Sequence, residues 1–166
     1  MFMGSQRIRE LYVGGQRIRS AHMWNGSAWQ RVHMWPVTAP SRVNKSGNQV
    51  VSSAWGTVTD WTLAGGYQGA ATTNGLLVVG AGTVDITTQI TSPVGHYQYV
   101  RIMRNGVQVG PEGFNNATTP TVSTTAAGIT VNDGDVISVT YNGIGTGDIN
   151  KTVSGGSGTY IQITAA

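Results

Sequence analysis

His22 and His33 stand eleven residues apart, at equivalent places in a repeated segment. Imidazoles so placed could stack in a sheet or pair across subunits as metal ligands. No Asp or Glu lies near either in sequence to complete a site, so packing at a repeat position is the simpler role. Asp133 and Asp135 flank Gly134. Two carboxylates fall short of the roughly six to eight oxygens that Ca²⁺ takes, and a tight turn is read there instead. Gly143-Ile144-Gly145-Thr146-Gly147 and Gly80-Ala81-Gly82 have glycine but neither the P-loop lysine nor a following helix. No serine sits in a nucleophile elbow. The chain is read as no enzyme, with no cofactor and no metal.

The basic and aromatic residues near the start are better placed to act. Arg7 and Arg9, then Arg17 and Arg19, are two apart, so each pair projects from one strand face. Met23, Trp24, Trp29, Met34 and Trp35 follow. Basic groups beside stacking rings can bind nucleic acid. Arg and Trp are also the enriched anchors of protein interfaces, and methionines suit adaptable packing on a protein partner. The protein-binding reading is favoured, and these nine residues are the expected partner-binding set.

They lie on a repeat. Phe2-Met3-Gly4-Ser5-Gln6-Arg7-Ile8-Arg9 is followed by Tyr12-Val13-Gly14-Gly15-Gln16-Arg17-Ile18-Arg19, then by a looser copy from Met23 to Gln30. Each copy has apolar residues, a two-residue turn signal and an alternating run. A meander folded at Gly4-Ser5, Gly14-Gly15 and Asn25-Gly26 is expected over residues 1–36. So thin an element cannot bury its own apolar face, which implies a partner. Two prolines, Pro36 and Pro40, open a linker expected over 37–48.

Composition supports an all-β chain. Charged residues are 10% of the 166, well below the roughly 25% of an average globular chain, and there are 24 glycines. Low charge suggests surface covered by other subunits. Residues 1–45 hold seven basic groups against Glu10, whereas 46–166 hold three against six acids. A basic N-terminal part facing an acidic partner and a solvated arginine-lined sheet face are both consistent with this. Cysteine is absent, which excludes disulfides without deciding the compartment. No apolar run reaches the roughly 20 residues of a membrane span, and the start has no signal-peptide core, so no membrane association is expected.

Residues 49–166 read as strands and turns. Strands are expected at 49–53, 56–63, 76–79, 83–90, 97–104, 107–109, 121–125, 128–131, 136–141 and 159–164, with loops at 70–75, 110–120 and 142–158. Leu76 to Val79 reads as covered on both faces. The clearest hairpin folds at Asn105-Gly106. Alternation puts Gln98, Val100, Ile102 and Arg104 on one face, which serves the core. Tyr97, Tyr99, Arg101 and Met103 take the other, and Tyr97, Tyr99 and Met103 form the expected oligomer interface. The count suits an antiparallel β-sandwich, either jelly roll or immunoglobulin-like.

The stretch Gly128-Ile129-Thr130-Val131-Asn132-Asp133-Gly134-Asp135-Val136-Ile137-Ser138-Val139, with Thr159-Tyr160-Ile161-Gln162-Ile163, resembles the penultimate hairpin and final strand of the tumour-necrosis-factor/complement-type jelly roll. Together with the repeat at Leu11–Ile18, the segment Met23–Trp29 and the proline linker, the chain resembles small minor tail or head-attached proteins of tailed phages that infect actinobacteria. That resemblance implies a virion component, trimeric about a threefold axis and docked on tail or capsid proteins by its N-terminal part, and the lack of a signal-peptide core fits assembly in the host cytoplasm. Capsid decoration or head fibre is the alternative. So is an appendage holding host-surface glycan near Tyr67, Phe114 or Tyr141.

Overall fold

The computed structural model describes residues 2–3, 6–7, 12–13, 16–17, 20–34, 40–52 and 54–166. Three two-stranded antiparallel hairpins come first: β1 (Phe2–Met3) with β2 (Gln6–Arg7), β3 (Tyr12–Val13) with β4 (Gln16–Arg17), and β5 (Ser20–Trp24) with β6 (Trp29–Met34). Met3↔Gln6 and Val13↔Gln16 are the innermost pairs of the first two hairpins, and the expected turns Gly4-Ser5 and Gly14-Gly15 lie outside the described residues. Among the described residues no ladder joins one hairpin to the next. The described part of the repeat thus holds three hairpins, and residues 8–11 and 18–19, through which they would join into a meander, lie outside the described residues.

The third hairpin turns more widely than a two-residue Asn-Gly loop. Trp24 pairs with Trp29, leaving the four residues Asn25 to Ala28 as the loop. The Asn25 side chain decides this. Its Oδ1 accepts from the backbone N–H groups of Ser27 (3.0 Å) and Ala28 (2.9 Å), an Asx turn that competes with the tighter alternative.

The rest is a two-sheet sandwich. Its strands are β7 (Ser41–Lys45), β8 (Gln49–Val50), β9 (Gly56–Thr57), β10 (Trp61–Leu63), β11 (Ala70–Thr72), β12 (Gly75–Leu77), β13 (Gly82–Thr91), β14 (Tyr97–Arg104), β15 (Val107–Asn116), β16 (Thr121–Val131), β17 (Val136–Gly143), β18 (Thr152–Val153) and β19 (Gly156–Ala165). One sheet runs β10-β7-β19-β13-β16, and the other β11-β12-β17-β14-β15, with β9 also on β17. A small β8–β18 ladder and a 3₁₀ turn at Asp148–Lys151 close one end. The last strand lies between β7 and β13, so the end of the chain is tied into the sheet.

Several expectations change. Ser41–Lys45 is not linker but strand, paired on both edges by β10 and β19 and buried at alternate residues. Its polar text hides it, because only Ser41, Val43 and Lys45 face inward. The expected loop at 110–120 is strand to Asn116, and the expected loop at 70–75 holds β11 and the start of β12. The long expected strands at 49–53 and 56–63 shorten to β8, β9 and β10. Leu76 and Val78 are buried but Leu77 and Val79 only partly, so that run alternates.

The core lies between the sheets. Val43, Ile86, Ile90, Ile161 and Ile163 from one face meet Leu76, Val100, Ile102, Ile137 and Val139 from the other. Each buried aliphatic side chain contributes about 1.5–3 kcal/mol. At one edge the two sheets nearly touch. A Cβ on Gly113 of β15 would lie 2.5 Å from the Ser123 carbonyl oxygen on β16 and 2.7 Å from Val100 Cγ1.

Lys45 and Tyr141 are ionisable groups buried in this frame. Lys45 faces inward with Nζ donating to the Ser46 carbonyl at 2.7 Å. Desolvation lowers its pKa from the ordinary 10.5, while the Asp60 charge opposes the shift. Tyr141 is fully buried, and burial pushes its pKa up from the ordinary 10.0.

Gly113→Ala is expected to lower unfolding stability by about 1–3 kcal/mol in urea denaturation, as overpacking does. Lys45→Met is expected to raise stability at pH 7 by roughly 1 kcal/mol, because it removes a buried charge. The native lysine loses its proton below pH 10.5 and the unfolded one at 10.5. The unfolded chain thus binds more protons in that window, and wild-type stability gains on Lys45→Met as pH rises through it. Tyr141 acts in the opposite sense above pH 10 in both proteins and cancels from the difference.

Candidate functional site: an aromatic row on the outer sheet face

The sheet β11-β12-β17-β14-β15 carries a row of rings on its solvent face. Two-residue alternation on β14 sends Gln98, Val100 and Ile102 inward, each with no exposed surface, and so turns Tyr97, Tyr99, Arg101 and Met103 outward. Phe114 of β15 is the register partner of Tyr99, and their ring centroids are 4.9 Å apart. Tyr97 stacks on Phe114 at 6.3 Å with an interplanar angle of 14°. On the other side Trp55, just before β9, meets Tyr99 edge-on at 6.2 Å. The row thus crosses the sheet from Trp55 to Phe114, with Tyr97 and Phe114 more than half exposed.

Arg101 organises one end. Its guanidinium lies 3.3 Å from the Trp55 ring centroid, and its Nε donates to Glu112 Oε2 at 2.8 Å. Glu112 reaches this position because the β14–β15 register shifts between Val100 and Ile102, leaving Gly110, Pro111 and Glu112 as a bulge opposite Arg101. Trp55 is held at φ +59, an uncommon backbone conformation for a side chain of this size. Beyond Phe114 an open cleft of about 390 Å³ is lined by Asn115, Asn116, Thr119, Thr121, Val122 and Ser123. The Asn115 amide, itself buried, fixes the rim by donating to the Thr121 carbonyl at 2.8 Å.

A second exposed aromatic pair lies on the third hairpin. Trp24 and Trp29 are 52% and 69% exposed, with ring centroids 5.8 Å apart, and Met23 is 58% exposed. These three expected partner-binding residues therefore stand at one hairpin tip. Arg7, Arg17 and Met34 take strand positions on β2, β4 and β6. Arg9, Arg19 and Trp35 lie outside the described residues.

Of the expected interface residues, Tyr97 and Tyr99 join the row, whereas Met103 sits further along β14, opposite Gln108 and Ser138. Of the aromatics expected near a glycan, Phe114 is exposed and Tyr67 half-buried, but Tyr141 is wholly inside the core. Its inward direction follows from the β17 pleat, and its hydroxyl lies 2.9 Å from His96 Nε2. His96 Nδ1 faces the Val94 carbonyl at 2.9 Å, and Ser92 donates to the same oxygen at 2.6 Å. This buried network joins the β13–β14 turn to β17. Asp133 and Asp135 are turn residues as expected, accepting from the N–H groups of Gly80 and Asn132. Among the described residues no group of three or more His, Cys, Asp or Glu could hold a metal ion. Trp55 and Glu112 were not singled out from sequence. A lone Trp after a serine pair and a Glu in an apparent loop give no period to read.

No protein-family model and no curated protein matches the sequence. Among solved structures the chain is similar to murine APRIL in crystals at pH 8.0 and pH 8.5. The TM-scores are 0.56 and 0.55 at 12% and 13% identity, over 77% of this chain and 98% of that one. The fold is a tumour-necrosis-factor-type jelly roll. Identity this low establishes the fold alone.

Arg101→Gln is expected to cost roughly 0.5–1 kcal/mol of stability through its lost contact with Trp55. A double-mutant cycle with Trp55→Leu checks this, and a coupling energy of zero would show that the ring and guanidinium do not stack in solution.

Proposed function

We propose that this chain is a structural, non-enzymatic component of a phage particle, a minor tail protein in the first instance, that assembles as a trimer of jelly rolls. Its N-terminal hairpins dock it on another virion protein. The observation that carries the reading is the Trp24–Trp29 pair at the tip of the third hairpin, with both rings mostly in solvent. Large rigid rings held in one geometry lose little entropy on binding, and Trp is enriched among the residues that dominate interface energy. The five arginines of residues 1–36, Arg7, Arg9, Arg17, Arg19 and Arg31, against Glu10 alone, favour an acidic partner and steer its approach. Three such arms on one trimer would turn weak docking into firm attachment. Capsid decoration is the variant of the same reading in which the partner is a head protein.

Light scattering on a sizing column tests the assembly. The full chain and residues 40–166 are both expected at three times their chain mass. The shorter form must begin at Pro40, because a cut at residue 49 would remove β7 from the sheet. Monomers in both cases would remove the trimer. Particles assembled with Trp24→Ser/Trp29→Ser protein are expected to lack the chain by immunogold labelling, while the variant keeps its solution mass. Full incorporation would sink docking through the hairpin.

A further inference from the structure

We infer that the Trp55–Tyr99–Phe114–Tyr97 row is a binding surface for a neutral, β-linked pyranose chain of the glucose or N-acetylglucosamine type. The inference goes beyond the docking of the hairpins and does not depend on it. A pyranose with equatorial substituents has flat C–H faces and a rim of hydroxyls. The row presents the complement of both. Its ring centroids are 4.9 to 6.3 Å apart along a sheet face, so an extended chain can cross several rings in turn, with Arg101 already on one face of Trp55. Tyr97 and Phe114 are open to contact.

The polar groups fit hydroxyls. Arg101 spends one N–H on Glu112, and the side chains are 32% and 34% exposed, so guanidinium donors and carboxylate acceptors remain for a vicinal pair of hydroxyls. Past Phe114, the cleft edged by Asn116, Thr119, Thr121 and Ser123 offers amides and hydroxyls for the next sugar unit. The two charges in the row cancel, which selects a neutral chain over a uronic or sialic acid polymer. Nucleic acid is disfavoured by the acidic balance of residues 46–166.

The row is built rigidly. β14 is hydrogen-bonded along both edges, by β15 and β17. Trp55 is kept at φ +59, and strain of this kind persists where surrounding contacts over-determine it, often at binding sites. The outer face of the other sheet differs. There threonines and glutamines dominate, Thr87 bonds Thr125 across strands, and β19 carries a single ring, Tyr160, in place of a row.

The test is an NMR titration of the full chain with cellohexaose and, separately, chitohexaose. The indole N–H signal of Trp55 is assigned by its loss in Trp55→Phe. Binding of at least one oligosaccharide is expected to shift that signal, and Tyr97→Ser/Phe114→Ser is expected to weaken it at least about tenfold. Both replaced side chains are more than half exposed, and retained amide dispersion confirms the fold. No shift with either sugar at millimolar concentration overturns the proposal, as do shifts confined to other tryptophans or binding that the double variant leaves unchanged. A fall in solution mass of the double variant also overturns it and makes the row a contact between copies.

Discussion

The pleat of β14 governs this molecule. Gln98, Val100 and Ile102 have no exposed surface, so the strand cannot slip by one residue without exposing its apolar set. The same constraint obliges Tyr97, Tyr99 and Arg101 to face solvent. β17 and β15 hold the strand on either side, and their own pleats bring Tyr141 inward and Phe114 outward. Core and surface row are thus two consequences of one register. A residue lost from either strand would scramble both.

Close approach of the two sheets adds the second condition. β15 passes so near β16 that only glycine fits at 113, and Gly110 faces Ala126 at the same seam. The bulge between these glycines bends β15 and turns Glu112 towards Arg101. Thr124 locks the bulge by donating to the Pro111 carbonyl at 2.8 Å. A proline is tolerated there because a bulge leaves its position without a ladder N–H. Elsewhere the buried polar groups of Ser92, His96 and Gln98 face partners around Tyr141, which lets a tyrosine occupy the core without an orphaned hydroxyl.

The chain thus divides its exposed aromatic surface between two places. The hairpin tip carries Trp24 and Trp29 on a two-stranded ribbon, where nothing in the ribbon itself can cover them. The sandwich carries its row on a thick, cross-braced sheet. The thin ribbon suits a surface that completes its burial on a partner. The braced sheet suits one that must keep its shape before and after a ligand arrives.

The alternation of 83–90 and 97–104, the Asn105-Gly106 hairpin and the final strand at 159–164 were legible in the sequence, because period-two burial and positive-φ turns are local properties. They sufficed for an all-β sandwich and for the outward direction of Tyr97 and Tyr99. Ser41–Lys45 was not legible, since a strand with one apolar residue in five is defined by the strands that flank it, and β19 is more than a hundred residues away. Nor was the length of β15, whose glycines and proline read as loop until β16 is set against them. The partners Trp55 and Arg101 are separated by forty-five residues of chain and meet only because β9 pairs with β17, and β17 with β14. Sequence by itself determined which side of the long alternating strands is apolar. Tertiary structure alone decided which outward side chains become neighbours, because lateral order in a sheet is set by pairing between distant segments.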